Sequence, residues 1–496
     1  MKRTDRRTFL KAGALGGAAL VLHRPLAFGQ RPFAFGRSRA RGDDAELFEL
    51  ICTTKREAVV ELCAARLKGG TPQEALLDAV ALAAARHFRD GSADGVSHAF
   101  LGLAPAWQTR ARLPAERTAL PLLQAVAWVN QEVQDGTPAL PDVAAKSDGS
   151  IEKTRAALVD AIRHGDADGA DGRVQYLARE LPFAELRELL FDLGHRDRSG
   201  YAHKLIMPLQ AFALFDALSR RHLQELVRVP ARYLASKPQD GTFDAAADAL
   251  IAKHGLAAPP KVVRADVDAA AVREEIVRSN GAAAAEALAE RLRDGLPLEA
   301  AGELVALAAA EVFLLQRKGG NLIGPVHANT SANATRHAIA AASRATAVGS
   351  LLVTTQRIAS FAGNYKKNDA ATPTLPTAEA ARDAGDTEEA LLAALRAAIA
   401  KRDEALAPAL VLAWGELELD AAPLFALLAE VATTDSGTTT HNFKHAQALI
   451  EDFAASRSPE RWLLGAAAAR FAANYFGSAR EIHERSAKAL GVPAFA

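Results

Sequence analysis

The chain has 496 residues, with 59 basic and 59 acidic side chains and only two cysteines. The balanced charge argues against nucleic acid or an anionic membrane surface as a partner, because both attract strongly basic proteins. Cys52 and Cys63 lie on one predicted helix, about 16 Å apart along its axis, so they are too distant for a disulfide and form no metal motif.

The first element in chain order is an export signal, predicted over residues 1–29. Residues 6–11 read Arg-Arg-Thr-Phe-Leu-Lys, the twin-arginine pattern that the Tat translocase recognises, and a mild apolar run follows over residues 12–22. That run falls short of the about 20 apolar residues of a spanning helix, so we expect no stable membrane insertion after cleavage. The signal predicts a periplasmic or secreted protein, and export in the folded state favours a cofactor inserted beforehand.

The remainder of the chain is predicted to be all-α. Strand-like alternation is nearly absent, and apolar residues recur at helical spacing over residues 57–68, 72–89, 283–293 and 299–317. Glycine and proline fall between such segments, as at residues 69–72 and 257–260. The pattern predicts a large helical bundle or array of helices of roughly ten to twenty residues.

An internal repeat divides this helical region. Residues 65–76 read Ala-Arg-Leu-Lys-Gly-Gly-Thr-Pro-Gln-Glu-Ala-Leu, and residues 290–301 read Glu-Arg-Leu-Arg-Asp-Gly-Leu-Pro-Leu-Glu-Ala-Ala. The two segments share one pattern at an offset of 225 positions. We therefore predict an internal duplication, with two pseudo-equivalent halves over residues 45–255 and 265–490.

Histidines recur at matching loop–helix junctions of the two halves. His98 and His327 follow glycine-containing loops, at an offset of 229 positions, and His203 and His441 follow Ser-Gly pairs, at an offset of 238. His445 lies one helical turn after His441 and shares its face of the helix. Imidazoles that converge from several helices can hold a transition metal ion such as Fe, Cu or Zn.

Five histidines are the predicted metal ligands, and four further residues are predicted to act beside them. The ligands are His98, His203, His327, His441 and His445. The neighbours are His195 and His337, as outer hydrogen-bond partners or proton-transfer groups, and Lys204 and Lys444, as partners of an oxyanion or carboxylate of a small-molecule substrate. Asp197 and Asp435 are natural helix caps near these histidines.

Polar residues recur at helical spacing after His327. Asn329, Asn333 and the Arg336–His337 pair give one polar stripe, which either faces water or lines a polar cavity, and its position beside His327 favours the cavity. The other histidines of the mature chain are predicted to be solvated, because charged residues surround them. They are His87, His164, His222, His254 and His483.

Two alternatives to a metal ion held by the histidines alone remain open from the sequence. The histidines would be turn and cap residues of a non-enzymatic binding or scaffold protein, in the manner of an α-solenoid, if they lay more than about 10 Å apart. Paired histidines also bind haem. No phosphate-binding loop, nucleophile elbow or His-Glu-x-x-His motif offers a competing chemistry.

Four short histidine segments resemble the questin oxidase-like proteins. The segments are Ser-His-Ala-Phe-Leu-Gly-Leu at 97–103, Gly-Tyr-Ala-His-Lys-Leu-Ile at 200–206, Pro-Val-His-Ala-Asn at 325–329 and Thr-His-Asn-Phe-Lys-His-Ala at 440–446. The resemblance implies a helical oxidoreductase that inserts oxygen into a ketone or quinone-like substrate.

Overall fold

Every regular element that the structure describes is a helix. The structure is a computed structural model that describes residues 42–89, 97–196, 202–236, 241–260, 262–264, 269–366, 374–438 and 440–495. No strand occurs within these ranges, which confirms the all-α prediction. We find no candidate membrane-spanning helix within these ranges. The predicted export signal, residues 1–29, lies outside the described residues.

Twenty-two α-helices make up most of the described chain. Their bounds are α1 Gly42–Thr53, α2 Arg56–Lys68, α3 Gln73–Arg86, α4 His98–Thr109, α5 Leu120–Gln134, α6 Ile151–His164, α7 Ala167–Glu180, α8 Phe183–His195, α9 His203–Ala217, α10 Leu223–Ala235, α11 Gly241–His254, α12 Ala269–Arg278, α13 Gly281–Arg293, α14 Leu298–Leu314, α15 Ile323–Ala341, α16 Arg344–Lys366, α17 Glu388–Ala400, α18 Leu406–Glu416, α19 Ala421–Ala432, α20 His441–Ala455, α21 Trp462–Tyr475 and α22 Glu481–Leu490. Short 3-10 helices cover Arg110–Arg112, Ala115–Arg117, Ala378–Ala384 and Pro459–Arg461.

The repeated sequence segments adopt the same turn in both places. Gly70 and Gly295 have φ angles of +98° and +110°, a backbone region that favours glycine because it has no Cβ. Pro72 and Pro297 then stand at the N-caps of α3 and α14. One sequence pattern thus produces a helix, a glycine turn and a proline-led helix twice along the chain.

The buried apolar side chains form two clusters. One is drawn mainly from residues 47–235 and the other from residues 247–495. Ala334 and Ala338 of α15 and Phe443 of α20 belong to the first cluster, although they come from the second half of the chain. All described residues lie within one compact unit. The predicted duplication of residues 45–255 and 265–490 stays a prediction.

Four helices join the two clusters in a ring. Helix α4 contacts α9, α9 contacts α15, α15 contacts α20, and α20 contacts α4. The contact between α4 and α20 is close, because a Cβ on Gly102 would lie 2.3 Å from the Cβ of Thr440. The Thr440 hydroxyl donates a hydrogen bond to the carbonyl of His98 at 2.7 Å. In this ring α4 lies opposite α15, and α9 lies opposite α20.

Helix α9 is held against α8 by a second glycine contact, which yields a stability prediction. A Cβ on Gly194 would lie 2.5 Å from the backbone oxygen of Lys204, so we expect Gly194→Ala to lower the free energy of unfolding by about 1–3 kcal/mol through overpacking. Gly324→Ala is the matched control, since its nearest atom, on Phe361, lies at an ordinary 3.7 Å. Urea denaturation measures both, and equal stabilities of the two variants would contradict the prediction.

Candidate metal centre

The ring helices begin, or nearly begin, with the predicted site histidines. Helix α4 starts at His98 because the carboxylate of Glu132 accepts hydrogen bonds from the Ser97 hydroxyl and, at 3.2 Å, from the N–H of Ala99. Burial raises the pKa of Glu132, and the hydrogen bond from Ser97 opposes that rise. His327 lies in the second turn of α15.

Helices α9 and α20 start in the same unusual way. Ala202 and Thr440 are the residues before His203 and His441, and both have left-handed backbone, with φ angles of 63° and 67°. A side chain other than glycine is strained in this region, and such strain is common at functional sites. The matching turns direct the two histidines into the ring from opposite helices.

Three of the histidines meet inside the ring. The ligand atoms of His98, His327 and His441 all lie within 4.8 Å of one another. His203 adjoins them, with its Nε2 2.9 Å from Nε2 of His327. His203, His327 and His441 are buried and His98 is half-buried. We call these four residues the histidine cluster.

Backbone carbonyls fix which ring nitrogen faces the centre of the cluster. Nδ1 of His327 donates to the carbonyl of Ile323 at 2.7 Å, and Nδ1 of His441 donates to the carbonyl of Thr438 at 2.6 Å. A neutral imidazole has one N–H, so Nε2 of each ring carries a lone pair. These two lone pairs face each other, with Nε2 of His441 3.4 Å from Nε2 of His327.

Burial keeps these imidazoles neutral. It is the main cause that holds the pKa values of His203, His327 and His441 well below the usual 6.5. The positive charge of Lys444 lowers all three pKa values further. Neutral imidazole is the form that binds metal ions.

The arrangement fits a metal ion on two counts. Nitrogen ligands about 2.0–2.1 Å from a tetrahedral ion lie about 3.4 Å apart. That is the separation of the two lone-pair nitrogens of His327 and His441. Hydrogen bonds from Nδ1 to backbone carbonyls are also the usual support of metal-bound histidines. The histidine cluster could therefore hold a metal ion.

A cleft of about 370 Å³, counted with its solvent-open space, runs beside the cluster between the four ring helices. Residues one to three turns along each helix line it, so all four helices run in the same direction away from the histidines. The lining residues are Pro105, Gln108, Leu209, Gln210, Ala213, Thr330, Asn333, His337, Lys444, Gln447, Ala448 and Glu451. The predicted polar stripe therefore contributes Asn333 and His337 to a cavity.

Lys444 connects the cleft to the cluster. Its side chain is 1% exposed, and Nζ lies 3.5 Å from Nε2 of His203. Burial lowers the pKa of this amine to about 7. Lys204, the other predicted lysine, is also buried, but its Nζ donates to the carbonyl of Leu234 at 3.1 Å and it does not line the cleft.

Acidic and basic side chains surround the other end of the cleft. Nε2 of His337 lies 2.9 Å from a carboxylate oxygen of Glu451, and Nε of Arg336 donates to Asp452 at 2.6 Å. Burial alone would raise the pKa of Glu451, but the hydrogen bond and charge of His337, with hydrogen bonds from two amides, outweigh it and lower the pKa to about 2. His337 thus lies at the cleft entrance and not in the cluster.

His445 points away from the other predicted ligands. Its Nε2 accepts a hydrogen bond from Nδ2 of Asn329 at 2.9 Å. Its ring contacts those of Phe313 and Phe471, with centroids 4.8 and 4.9 Å away. It borders a separate cavity, of about 370 Å³ with open space, that Tyr475 also lines. Burial lowers the pKa of His445 to about 3.

His195 lies in a different packing contact. A Cβ on Gly349 of α16 would lie 2.4 Å from its Nε2, and its Nδ1 is 3.9 Å from Asp192. Burial lowers its pKa to about 4. Of the two predicted caps, Asp435 accepts hydrogen bonds from Gly437 and Thr438 in the turn before α20, and Asp197 lies outside the described residues.

The prediction of solvated histidines was wrong for three residues. The His483 side chain is buried, and its Nε2 accepts a hydrogen bond from the N–H of Phe495 at 3.0 Å. The side chains of His222 and His254 are 9% and 4% exposed, against Asp78 and Glu286. Packing between helices buries them, which charged neighbours in sequence cannot reveal. His164 is exposed, as predicted.

Several contributors to the site escaped the sequence analysis, among them Gln210, Glu451 and Glu132. Gln210 and Glu451 line the cleft, and Glu132 caps α4. Helical spacing could have placed Gln210 and Glu451 on the same helix faces as the histidines. Gln210 lies two turns after His203, and Glu451 lies about three turns after His441. Nothing in the sequence pairs Glu132 with the start of α4.

Searches of protein-family models, of curated proteins and of solved structures found no match to the chain.

The Glu451–His337 pair predicts a pH-dependent contribution to stability. The folded-state pKa of Glu451, about 2, lies below the 4.5 of an unperturbed glutamate, so the stabilisation is complete above about pH 5 and is lost as the pH falls towards 2. We expect Glu451→Gln to lower the free energy of unfolding by about 2 kcal/mol at pH 7 and by much less at pH 3. Urea denaturation at both values tests this.

The exposed Glu180 at the end of α7 provides the control for that series. Glu180→Gln should change the free energy of unfolding by no more than about 0.5 kcal/mol at either pH. A Glu451→Gln effect of the same size at pH 3 and pH 7 would show that the ionised pair does not stabilise the fold.

Proposed function

We propose that the chain is an exported helical metalloenzyme of the oxidase or oxygenase class, with a transition metal bound by His98, His327 and His441. The observation that carries the proposal is the meeting of these three imidazoles within 4.8 Å, with the Nε2 lone pairs of His327 and His441 turned towards each other. Such an arrangement is stabilised by a cation at the centre.

The cleft supports catalysis over a purely structural role for the metal. Structural zinc sites are closed by four protein ligands, whereas catalytic sites keep a position open for water or substrate. Here three imidazoles form the tight group, and the cleft beside Lys444 reaches the cluster from outside. A small molecule in the cleft would therefore lie next to the metal position.

The donor set and the sequence resemblance together favour redox chemistry. Neutral imidazoles suit Fe and Cu as well as Zn. The resemblance of the histidine segments to the questin oxidase-like proteins adds an oxidation with dioxygen as the oxidant. Bound Fe or Cu would supply that reactivity. The chain itself would orient the imidazoles through the Ile323 and Thr438 carbonyls and exclude bulk water from the cluster.

The signal at residues 6–11 supports export by the Tat translocase to the periplasm or the exterior. That route suits the proposed function, because a metal loaded in the cytoplasm would be retained within the folded ring of helices. The scaffold alternative requires histidines more than about 10 Å apart. The ring centroids of neighbouring cluster histidines are instead 4.5–5.2 Å apart.

Metal analysis tests the proposal. Untagged protein expressed in medium replete in Fe, Cu, Zn and Mn should contain about one metal ion per chain. His327→Ala and His441→Ala should each reduce this content at least tenfold, because each removes one of three ligands. His483→Ala is the matched control, since His483 is equally buried but lies outside the cluster.

The outcome also identifies the chemistry. Visible and electron paramagnetic resonance spectra that report Fe or Cu, with dioxygen consumption by the loaded protein, would support an oxidase or oxygenase. Zinc alone would refute the redox assignment while leaving the metal site intact. Absence of any stoichiometric metal from correctly folded protein would refute the proposal as a whole.

The position of His445 gives a separate prediction. Because Asn329 occupies its Nε2 and two phenylalanine rings enclose it, we expect His445→Gln to keep full metal content. His441→Gln, one turn earlier on the same helix, should lose it. Inductively coupled plasma mass spectrometry of the two variants decides, and parallel losses would make His445 a ligand after all.

A further inference from the structure

Lys444 carries a buried amine that no carboxylate pairs among the described residues. It is 1% exposed, and among the described residues its polar contact is with Nε2 of His203, at 3.5 Å from Nζ. No ion pair joins it to a carboxylate within the part of the chain that the structure describes. Glu451, on the same helix, is two turns away, about 10 Å, and is engaged by His337 and Gln447.

The described residues around Lys444 add positive potential, and none of them pairs the amine with a negative charge. The neighbouring imidazoles are neutral, because burial lowers their pKa values. Helices α4, α9 and α20 begin at the cluster, so the positive ends of three helix dipoles point into it. A buried charge is costly unless it is paired, so this end of the cleft favours an anion from outside.

Gln210 offers a hydrogen-bond acceptor in the same cleft. Its side chain is 8% exposed, and its Oε1 has no hydrogen-bond partner among the described residues. The nearby amides are already engaged, since Gln447 accepts from Arg112 at 3.0 Å and Asn333 donates to Asp452 at 2.9 Å. A buried acceptor without a donor is unfavourable, and a ligand hydroxyl would satisfy it.

We propose that the cleft binds a small hydroxycarboxylate, with its carboxylate at Nζ of Lys444 and its hydroxyl donating to Oε1 of Gln210. Apolar surfaces of Leu209 and Ala213 would enclose the carbon chain. The inference deepens the proposed function, on which its meaning as substrate recognition rests, because a carboxylate at Lys444 lies beside His203 of the cluster. Binding itself requires only the lysine and the glutamine.

Calorimetry on the protein as purified tests the inference with matched probes. The probes are 3-hydroxybutyrate, butyrate, which lacks the hydroxyl, and 3-hydroxybutyramide, which lacks the charge. We expect 3-hydroxybutyrate to bind most tightly, butyrate at least about threefold more weakly, and the amide at least about tenfold more weakly than 3-hydroxybutyrate. Equal affinity for the amide and the acid in wild-type protein would overturn the inference without any variant.

Variants then assign the two contacts. Lys444→Met should weaken binding of both acids at least about tenfold. Gln210→Met should remove the preference for 3-hydroxybutyrate over butyrate while leaving butyrate binding unchanged. Lys204→Met is the matched control, because Lys204 is equally buried beside the cluster but faces the Leu234 carbonyl, and it should retain both affinities. Unchanged binding in folded Lys444→Met protein would overturn the inference.

Metal content measured on the same samples separates this inference from the proposed function. Selective binding of 3-hydroxybutyrate by protein without stoichiometric metal would support the anion site and refute the metalloenzyme. Stoichiometric metal in protein that binds none of the three probes would do the reverse.

Discussion

Two imidazole nitrogens that both present lone pairs repel each other unless something positive lies between them. Nε2 of His327 and Nε2 of His441 are 3.4 Å apart, and each carries a lone pair. The proton of each ring is on Nδ1, which donates to the carbonyl of Ile323 or Thr438. The ring of helices α4, α9, α15 and α20 maintains this contact from all sides. Two local features position the histidines for this contact. Ala202 and Thr440, before α9 and α20, adopt strained left-handed backbone, and Gly102 packs closely on Thr440.

The electrostatics of the interior follow from the same contact. Charged imidazoles could not be packed together at this depth, and burial accordingly holds the pKa values of the buried three well below 6.5. Their positively charged neighbour Lys444 has no carboxylate to balance it in the described chain, while the acids of the region are paired at the far end of the cleft. The cleft is thus neutral or positive beside the histidine cluster, and its acidic side chains lie at the entrance. Both a metal ion and an anion would meet groups that already suit them, the cation at the lone pairs and the anion at the ammonium.

Sequence predicted the helices and the identity of the cluster histidines, and for physical reasons it could predict little more. Helical periodicity and the Gly-x-Pro turn are local, so the all-α class and the matching helix starts are readable from the chain. The direction in which an imidazole points depends on contacts with other helices, which the local sequence does not specify. His445 shares a helix face with His441, yet Asn329 of another helix and two phenylalanine rings turn it aside. The charged neighbours of His483 predict a solvated side chain, but contacts with Thr433 and Phe495 lie around its buried ring.

The two predicted halves contribute different residues to the cleft lining. The offset of 238 positions that separates His203 from His441 also pairs Leu209 with Gln447, Gln210 with Ala448, and Ala213 with Glu451, and all six line the cleft. The offset of 229 that separates His98 from His327 pairs Gln108 with His337, which line it too. A two-fold relation between the predicted halves would produce such pairs, and the duplication remains a prediction.

Two of the four pairs contain an ionisable residue, Glu451 or His337, and both lie in the second half; Lys444 itself corresponds to the apolar Ile206. The histidines are therefore the part of the site that both halves share, while the groups suited to recognise a ligand's charge come from one half alone. In the proposed metalloenzyme, changes on one face of α20 would alter ligand recognition and leave the histidine cluster unchanged.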